Sequence, residues 1–531
     1  MPPLLQKLDD LAAVGDEKGF ARMLGRIAFV FLILMFVFAP HSIAATQIAW
    51  LTGMFAWFVR LFTKPRPRLV RTPLDLSLWI FFAWSVITSI FSYDPPTSLD
   101  KLRNVALFLI FYFIVNAVKT RRAAVFLAST LILSSMVSVL WTPIERIFGR
   151  GVEISNVGTN SILSKTALQN GDTILKANDR KVSTPEELLT EIERGDVTPI
   201  YFYRPDYYLT IEVKRADLLD GGNALEKLGI GSWKPSRNWR SMGFLSHYAT
   251  FAEVLQLIIS LTFGLLIASF GSRKKQFDAS GAKENYFRKS AFSPLLLFCV
   301  AAMGIALLLT VTRASQIGFL CSAFAIVFVG ANRKMLLILA AVALPVALLG
   351  VYFQQQSRNV GFFDAKDAST RDRETFYRKG FDLWTKNARN FSVGVGMDST
   401  KKFIKEWNLY DNEGAPMGHF HSTPLQLLVE RGFPALFLWL WVLWVYGRTL
   451  LRWLKKQRSA DSIENSESPP IEWREKGIVL GAFGGLVGFF SAGFVHYNLG
   501  TAMVAMVFFM MMGLSFVIIA PHTNDSETLN G

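Results

Sequence analysis

Hydrophobic positions in this chain fall into long uncharged runs, not into the one-sided stripes of soluble helices. Segments 29–38 and 503–519 hold no charged residue at all. A helix needs about 20 mostly apolar residues to cross ~30 Å of hydrocarbon. By that measure about twelve spans are predicted, near 24–40, 44–62, 74–92, 104–118, 123–142, 248–271, 293–311, 314–331, 335–354, 434–453, 477–496 and 500–520. Between 147 and 218 the pattern changes, and alternation replaces the continuous runs. The expected fold class is therefore an all-α polytopic membrane protein carrying a small α+β insertion.

Charge orients the spans. Lys64, Arg66, Arg68 and Arg71 lie between the second and third, and Lys119, Arg121 and Arg122 follow the fourth. Arg273, Lys274 and Lys275 follow the sixth, Arg333 and Lys334 the eighth, and Arg452, Lys455, Lys456 and Arg458 the tenth. Because cytoplasmic loops retain Lys and Arg, this alternation puts those loops and both termini in the cytoplasm. The segments left outside are 93–103, 143–247, 312–313, 355–433 and 497–499. Two are long, and long loops tend to carry function. The division this implies is 1–146 (helices 1–5), 147–218 (the insertion), 219–354 (helices 6–9), 355–433 (an external loop) and 434–531 (helices 10–12 and a cytoplasmic tail).

Composition narrows the class further. The 531 residues are 51% hydrophobic and 18% charged, with 45 Phe and 14 Trp, which is too apolar for an ordinary soluble enzyme. A net charge of +15 is accounted for by the orienting loops, so no nucleic-acid partner is expected. Cys299 and Cys321 both lie in apolar runs and give neither a disulfide framework nor a metal site. No short apolar stretch with a small-residue cleavage site opens the chain, so no removable signal peptide is expected.

Within the insertion, Val152, Ile154 and Val157 begin an alternating segment. A strand follows at Thr173-Ile174-Leu175-Lys176, then a turn at Asn178-Asp179. Thr184-Pro185-Glu186-Glu187 reads as a helix start, with Thr184 as cap, Pro185 in the first turn and Glu187 completing a capping box. Strands at 200–204 and 208–214 close the unit. The order, with Leu168-Gln169-Asn170-Gly171-Asp172-Thr173-Ile174-Leu175, resembles a bacterial PDZ domain. That resemblance implies a carboxylate-binding turn near 149–152 and a groove flanked by the helix at 185–193. PDZ domains take up an extended segment as an added strand, so a protein partner is one implied role. A spacer covering the membrane-embedded part is the other.

The second long external segment holds the sharpest local pattern. Gly394-Val395-Gly396 precedes His419-Phe420-His421-Ser422-Thr423-Pro424-Leu425-Gln426-Leu427-Leu428-Val429-Glu430-Arg431-Gly432. Thr423 as cap, Pro424 at the first position and Gln426 in a capping box predict a short helix that Gly432 ends. His421 falls just before its start, where unpaired N–H groups favour an anion and a neutral imidazole. Such a histidine is a candidate general base, or else a loop residue that only caps.

These residues resemble the signature of the O-antigen ligase and polymerase family, with Ser422 where that family usually has Asn. Thr312-Arg313-Ala314-Ser315 and Arg373 with Phe376-Tyr377 resemble two further family elements. Tyr93-Asp94-Pro95-Pro96 with Ser98-Leu99 resembles the family's first external loop. The resemblance implies a bacterial inner-membrane enzyme whose active site is periplasmic. It would move a glycan from a polyprenyl diphosphate to an acceptor hydroxyl, such as the lipid A core or another glycan. It also implies catalytic roles for His421, Arg313 and Arg373, with Arg240 and His419 binding substrate, because guanidinium groups suit a diphosphate. No Asp-x-Asp element or His/Cys cluster stands in the external segments, so a metal-independent transfer without cofactor is expected. Asp94 and Asp100 are the alternative, a metal-bound transferase. A polymerase, a protein O-glycosylating transferase, a transporter and a scaffold built around the insertion remain rival readings.

Overall fold

The computed structural model describes residues 3–158, 161–166, 168–204, 207–237, 239–279, 292–331, 368–412, 414, 416–460 and 472–520. The span expected at 335–354 lies outside them. Each other predicted span coincides with helix over most of its length. Eight helices among the described residues are long and apolar enough to cross a membrane. Asp75–Ile90 is a shorter apolar helix, and the segment from Leu102 to Ala117 is broken by a tight turn at Ala106–Phe108. Ile43–Arg60 ends on a buried arginine that pairs with Glu17 at 3.0 Å. Hydropathy thus finds the apolar segments, while their breaks are set by local geometry that it does not register.

The chain divides into two compact units, one of residues 1–138 and 242–531 and the other Val139–Ser241. In the first, the helix Tyr248–Ala279 runs through the centre, and most of its apolar stretch to Phe270 is buried. It packs against Trp473–Gly493 along a seam of small residues, where a Cβ on Gly264 would collide with the backbone of Gly481. Close backbone approach of this kind is how apolar helices associate when lipid removes the hydrophobic drive. Peripheral helices turn large apolar side chains outward instead, Phe55, Phe324 and Phe328 among them.

The second unit contains an antiparallel sheet. Its strands are β1 (Arg150–Val157), β2 (Thr173–Ala177), β3 (Arg180–Lys181), β4 (Val197–Arg204), β5 (Tyr207–Lys214) and β6 (Ile230–Ser236). The order is β5-β4-β2-β1-β6, with β3 a short hairpin on β2 through Asn178 and Asp179, both at positive φ. Ile154, Ile174, Leu188, Ile192, Ile200 and Phe202 form its core. Thr184 caps the helix Pro185–Glu193 by accepting from Glu187 N–H at 3.3 Å, while the Glu187 carboxylate accepts from Ser183 N–H at 2.7 Å. Asp172, nearly fully buried, receives two bonds from the Arg204 guanidinium at 2.8 and 2.7 Å and a third from Gln169 N–H.

Two features differ from the sequence expectation. The unit extends past 218, because β6 pairs with β1 from Val157↔Ile230 to Arg150↔Ser236. Gly231 and Pro235 hide that strand from a propensity reading, although Pro is tolerated on a sheet edge. The outer edge of β1, beside the expected carboxylate turn, is therefore already paired within the chain.

Replacing Asp172 by Ala should destabilise the segment 149–237 by about 2–4 kcal/mol. That is less than for a wholly buried pair, since Arg204 keeps some solvent contact. Urea unfolding of the segment expressed alone measures it, and an unchanged midpoint would contradict the role given to this pair.

Candidate active site around the loop 494–498

The long helix Thr423–Ala460 is two helices joined at a kink, where Gly432 has φ 74 and ψ 176. The first ends at Arg431, and its last carbonyls need partners. Val395 N–H donates to Val429 O at 2.8 Å and Gly396 N–H to Glu430 O at 2.9 Å, while Trp84 Nε1 donates to Arg431 O at 2.9 Å. The Gly-Val-Gly segment thus caps the helix end by backbone alone. Contact is so close that a Cβ on Gly432 would strike Ser392 O, and one on Gly396, at φ +98, would strike Ser92 Oγ. Glu430 and Arg431 are thereby fixed as buried residues.

The start of this helix is capped by Ser422, not Thr423 as the sequence suggested: Ser422 O accepts from Gln426 N–H at 2.9 Å and Ser422 Oγ from Leu425 N–H at 3.4 Å. Thr423 serves another purpose. Its N–H donates to His496 O at 3.1 Å, and its hydroxyl lies between that carbonyl at 3.0 Å and Asn498 Oδ1 at 2.8 Å. Gln426 links the two ends of the turn, accepting from Phe420 N–H at 2.9 Å and donating to Glu430 Oε1 at 2.9 Å.

Residues 494–498, between Trp473–Gly493 and Ala502–Ile519, are the meeting point of three other elements. Phe494 O accepts from Tyr377 OH at 3.0 Å, holding the helix Ala368–Thr385 that carries Arg373. His496 O holds Thr423, and His496 Nδ1 lies 2.9 Å from Glu253 Oε1 on the central helix. Tyr497 OH donates to Glu430 Oε2 at 3.3 Å. Arg313 opens the helix Arg313–Gly330. A Cβ on Gly318 would meet Gly488 and Ala492, while one on Gly330 would meet Leu480, so this helix runs antiparallel to Trp473–Gly493. Arg313 therefore sits at the end from which the loop leaves.

Both predicted histidines gather here. Their rings are 4.1 Å apart, His421 N–H lies 3.2 Å from His419 Nδ1, and the His421 ring stacks on Phe376 at 5.3 Å and 10°. His421 holds φ 48, a backbone strain uncommon outside glycine. Burial pushes His419 down to about 4, helped by the charges of His496 and Lys401. Burial pushes His421 down to about 2, helped by His419, His496 and Arg373. Both imidazoles are neutral at physiological pH.

A cavity of about 170 Å³ adjoins His419. Glu430, Arg431, Tyr497, Lys101, Lys401 and Asp398 supply its polar wall. The loop at 93–101 reaches it by packing on 395–402: Tyr93 N–H donates to Val395 O at 3.1 Å, Ser98 Oγ to Met397 O at 2.9 Å, and Lys101 Nζ pairs with Asp398 at 2.9 Å. Asp94, lowered first by its bond from Thr97 and then by Lys402, pairs with Lys402 at 3.2 Å; Asp100 pairs with Arg103 at 3.1 Å. Among the described residues, no group of three or more His, Cys, Asp or Glu side chains could hold a metal ion.

Of the five residues singled out by sequence, His419, His421 and Arg373 are brought together and Arg313 stands at the same end of the bundle. Arg240 belongs to the Val139–Ser241 unit. The sequence reading did not assign roles to Glu430 and Arg431, although they lie in its strongest motif. His496, Tyr497 and Glu253 carried no motif and were found only through contacts. Residues 298–440 match the family model described as O-antigen ligase. A search of the curated proteins finds no match.

Stability should depend on pH through the two histidines. Unfolded imidazoles titrate near 6.5. The folded values of about 4 and about 2 lie below that, so the contribution is fully present above pH 6.5. It is lost progressively as pH falls toward those folded values, because the unfolded chain takes up protons the folded site refuses. The melting midpoint in detergent should be lower at pH 5 than at pH 7.5, and the double substitution His419→Gln, His421→Gln should flatten that dependence. Equal slopes for both proteins would contradict the assignment.

Proposed function

We propose, from the match of residues 298–440 to the O-antigen ligase family model, that this protein transfers a glycan from a polyprenyl diphosphate to an acceptor hydroxyl. The lipid A core is the favoured acceptor, and a glycan repeat is the acceptor in the polymerase variant of this reading. The chain is read as a multi-pass protein of a bacterial inner membrane with its site on the periplasmic face, since the basic loops belong to the opposite side.

In the proposed reaction, Arg313 and Arg373 hold the diphosphate and stabilise the charge that develops as it leaves. The acceptor oxygen attacks C1 from the opposite face, so one C–O bond forms as the other breaks. His421 accepts the hydroxyl proton, and the diphosphate departs with the bonding pair. The observation that carries this reading is the neutral, strained His421 beside His419 and under the influence of Arg373. A base held at about 2 is weak by itself, yet an anionic diphosphate bound alongside raises it. The base would then gain strength only with donor in place. No metal or cofactor is assigned a step. Arg240 and His419 are proposed as substrate contacts. A peptide partner at the insertion, as the PDZ-like pattern implies, would have to displace β6 from β1.

Purified protein with a lipid diphosphate donor tests this. His421→Ala should slow transfer by roughly 10²–10⁴ while donor binding stays nearly intact. Arg373→Ala should weaken both donor binding and turnover, and Arg313→Lys should impair transfer despite keeping its charge, because bidentate geometry is lost. Chelator should leave the rate unchanged. Normal turnover by His421→Ala, or abolition by chelator, would refute the proposed mechanism.

A further inference from the structure

The cavity beside His419 has a chemistry unlike that of a diphosphate site. Its two lysines are already matched, since Lys101 and Lys401 both pair with Asp398, at 2.9 and 3.0 Å. Arg431 adjoins the carboxylate of Glu430 in sequence and donates from Nη1 to Ser85 Oγ at 3.2 Å. Asp398 answers both lysines along this wall, which leaves them poorly placed to hold a polyanion. Phe81, Phe108 and Trp439 supply the apolar part of the lining, with the Arg431 guanidinium over the Phe81 ring at 5.5 Å. An aromatic wall beside fixed donors and acceptors suits a flat, hydroxyl-rich, uncharged ring. The volume of about 170 Å³ admits one such ring, and Gly418 and Lys401 of its lining are exposed.

The acceptor group is well defined. Glu430 Oε1 is occupied by Gln426 Nε2 and by Asp398 N–H, both at 2.9 Å. Among the described residues Oε2 receives only the longer bond from Tyr497 OH, at 3.3 Å, and so retains capacity for another donor. Burial and the nearby Glu430 push the Tyr497 phenol up, which keeps it a donor. His419 lines the same space, which joins the cavity to the histidine pair.

We infer that this cavity is a subsite for one uncharged sugar ring of the glycan substrates, recognised by the Glu430 carboxylate and the Tyr497 hydroxyl. The inference rests on the glycan-transfer reading above, and the ring can belong to the acceptor or to the first sugar of the donor. A sugar hydroxyl donates to Glu430 Oε2, its ring face lies on the aromatic wall, and His419 borders the edge nearest the reacting groups.

Glu430→Gln keeps the shape and one acceptor oxygen but turns Oε2 into a donor, while Tyr497→Phe removes the phenol. Both variants are assayed for transfer, with donor and acceptor varied separately, after their melting midpoints confirm folding. A roughly tenfold or larger rise in acceptor KM with donor KM unchanged assigns the subsite to the acceptor sugar. The same rise confined to donor KM assigns it to the donor sugar. Folded variants in which neither KM moves would overturn the inference. Methyl glycosides of glucose, galactose and N-acetylglucosamine at millimolar concentration should raise the melting midpoint of the unaltered protein, and not that of Glu430→Gln. That arm stands even where no transfer from a lipid diphosphate is detected, a result that would count against the transferase reading alone. No shift with any glycoside in the unaltered protein would likewise overturn the subsite.

Discussion

A helix that begins inside a protein must find partners for N–H groups that have none within the helix. At Thr423 the partner is a backbone carbonyl, that of His496, and much of the site depends on this bond. It ties the turn bearing His419 and His421 to a five-residue loop between two membrane helices. The same loop holds the Arg373 helix through Phe494 O, Glu430 through Tyr497, and Glu253 of the central helix through the His496 side chain. Side chains separated by more than a hundred residues are positioned together because one loop bonds to each of their elements.

The other end of the short helix meets a second constraint. Its terminal carbonyls are capped by Val395 and Gly396 N–H, and this requires a backbone approach that side chains would prevent. Ser92 and Ser98 then pack on the same segment, which brings the loop at 93–101 and Lys101 to the cavity. Burial produced by this packing keeps both imidazoles neutral, so the fold and the proton chemistry share one cause.

Much of this was legible in the sequence, for a physical reason in each case. Apolar length marked the helices because lipid demands it, and Gly432 marked a real helix end. Thr184 with Glu187 marked a real helix start in the insertion. His419, His421 and Arg373 were drawn from a family pattern and converge in space. What failed was the part decided by tertiary contact. Ser422 took the cap because Thr423 was drawn to His496, and β6 was missed because its Gly and Pro weaken the local signal. Glu253, His496 and Tyr497 sit in or beside hydrophobic spans, where one polar residue looks incidental until its partner is known.

The central claim is a single direct displacement at C1, with the acceptor proton taken by His421 and the diphosphate leaving on the opposite side. The anomeric configuration of the bond formed tests it most directly. Nuclear magnetic resonance of the product made by the purified protein from a lipid diphosphate donor of known configuration should show inversion at C1. Retention would require an intermediate attached to the protein or a second displacement, and would contradict the account.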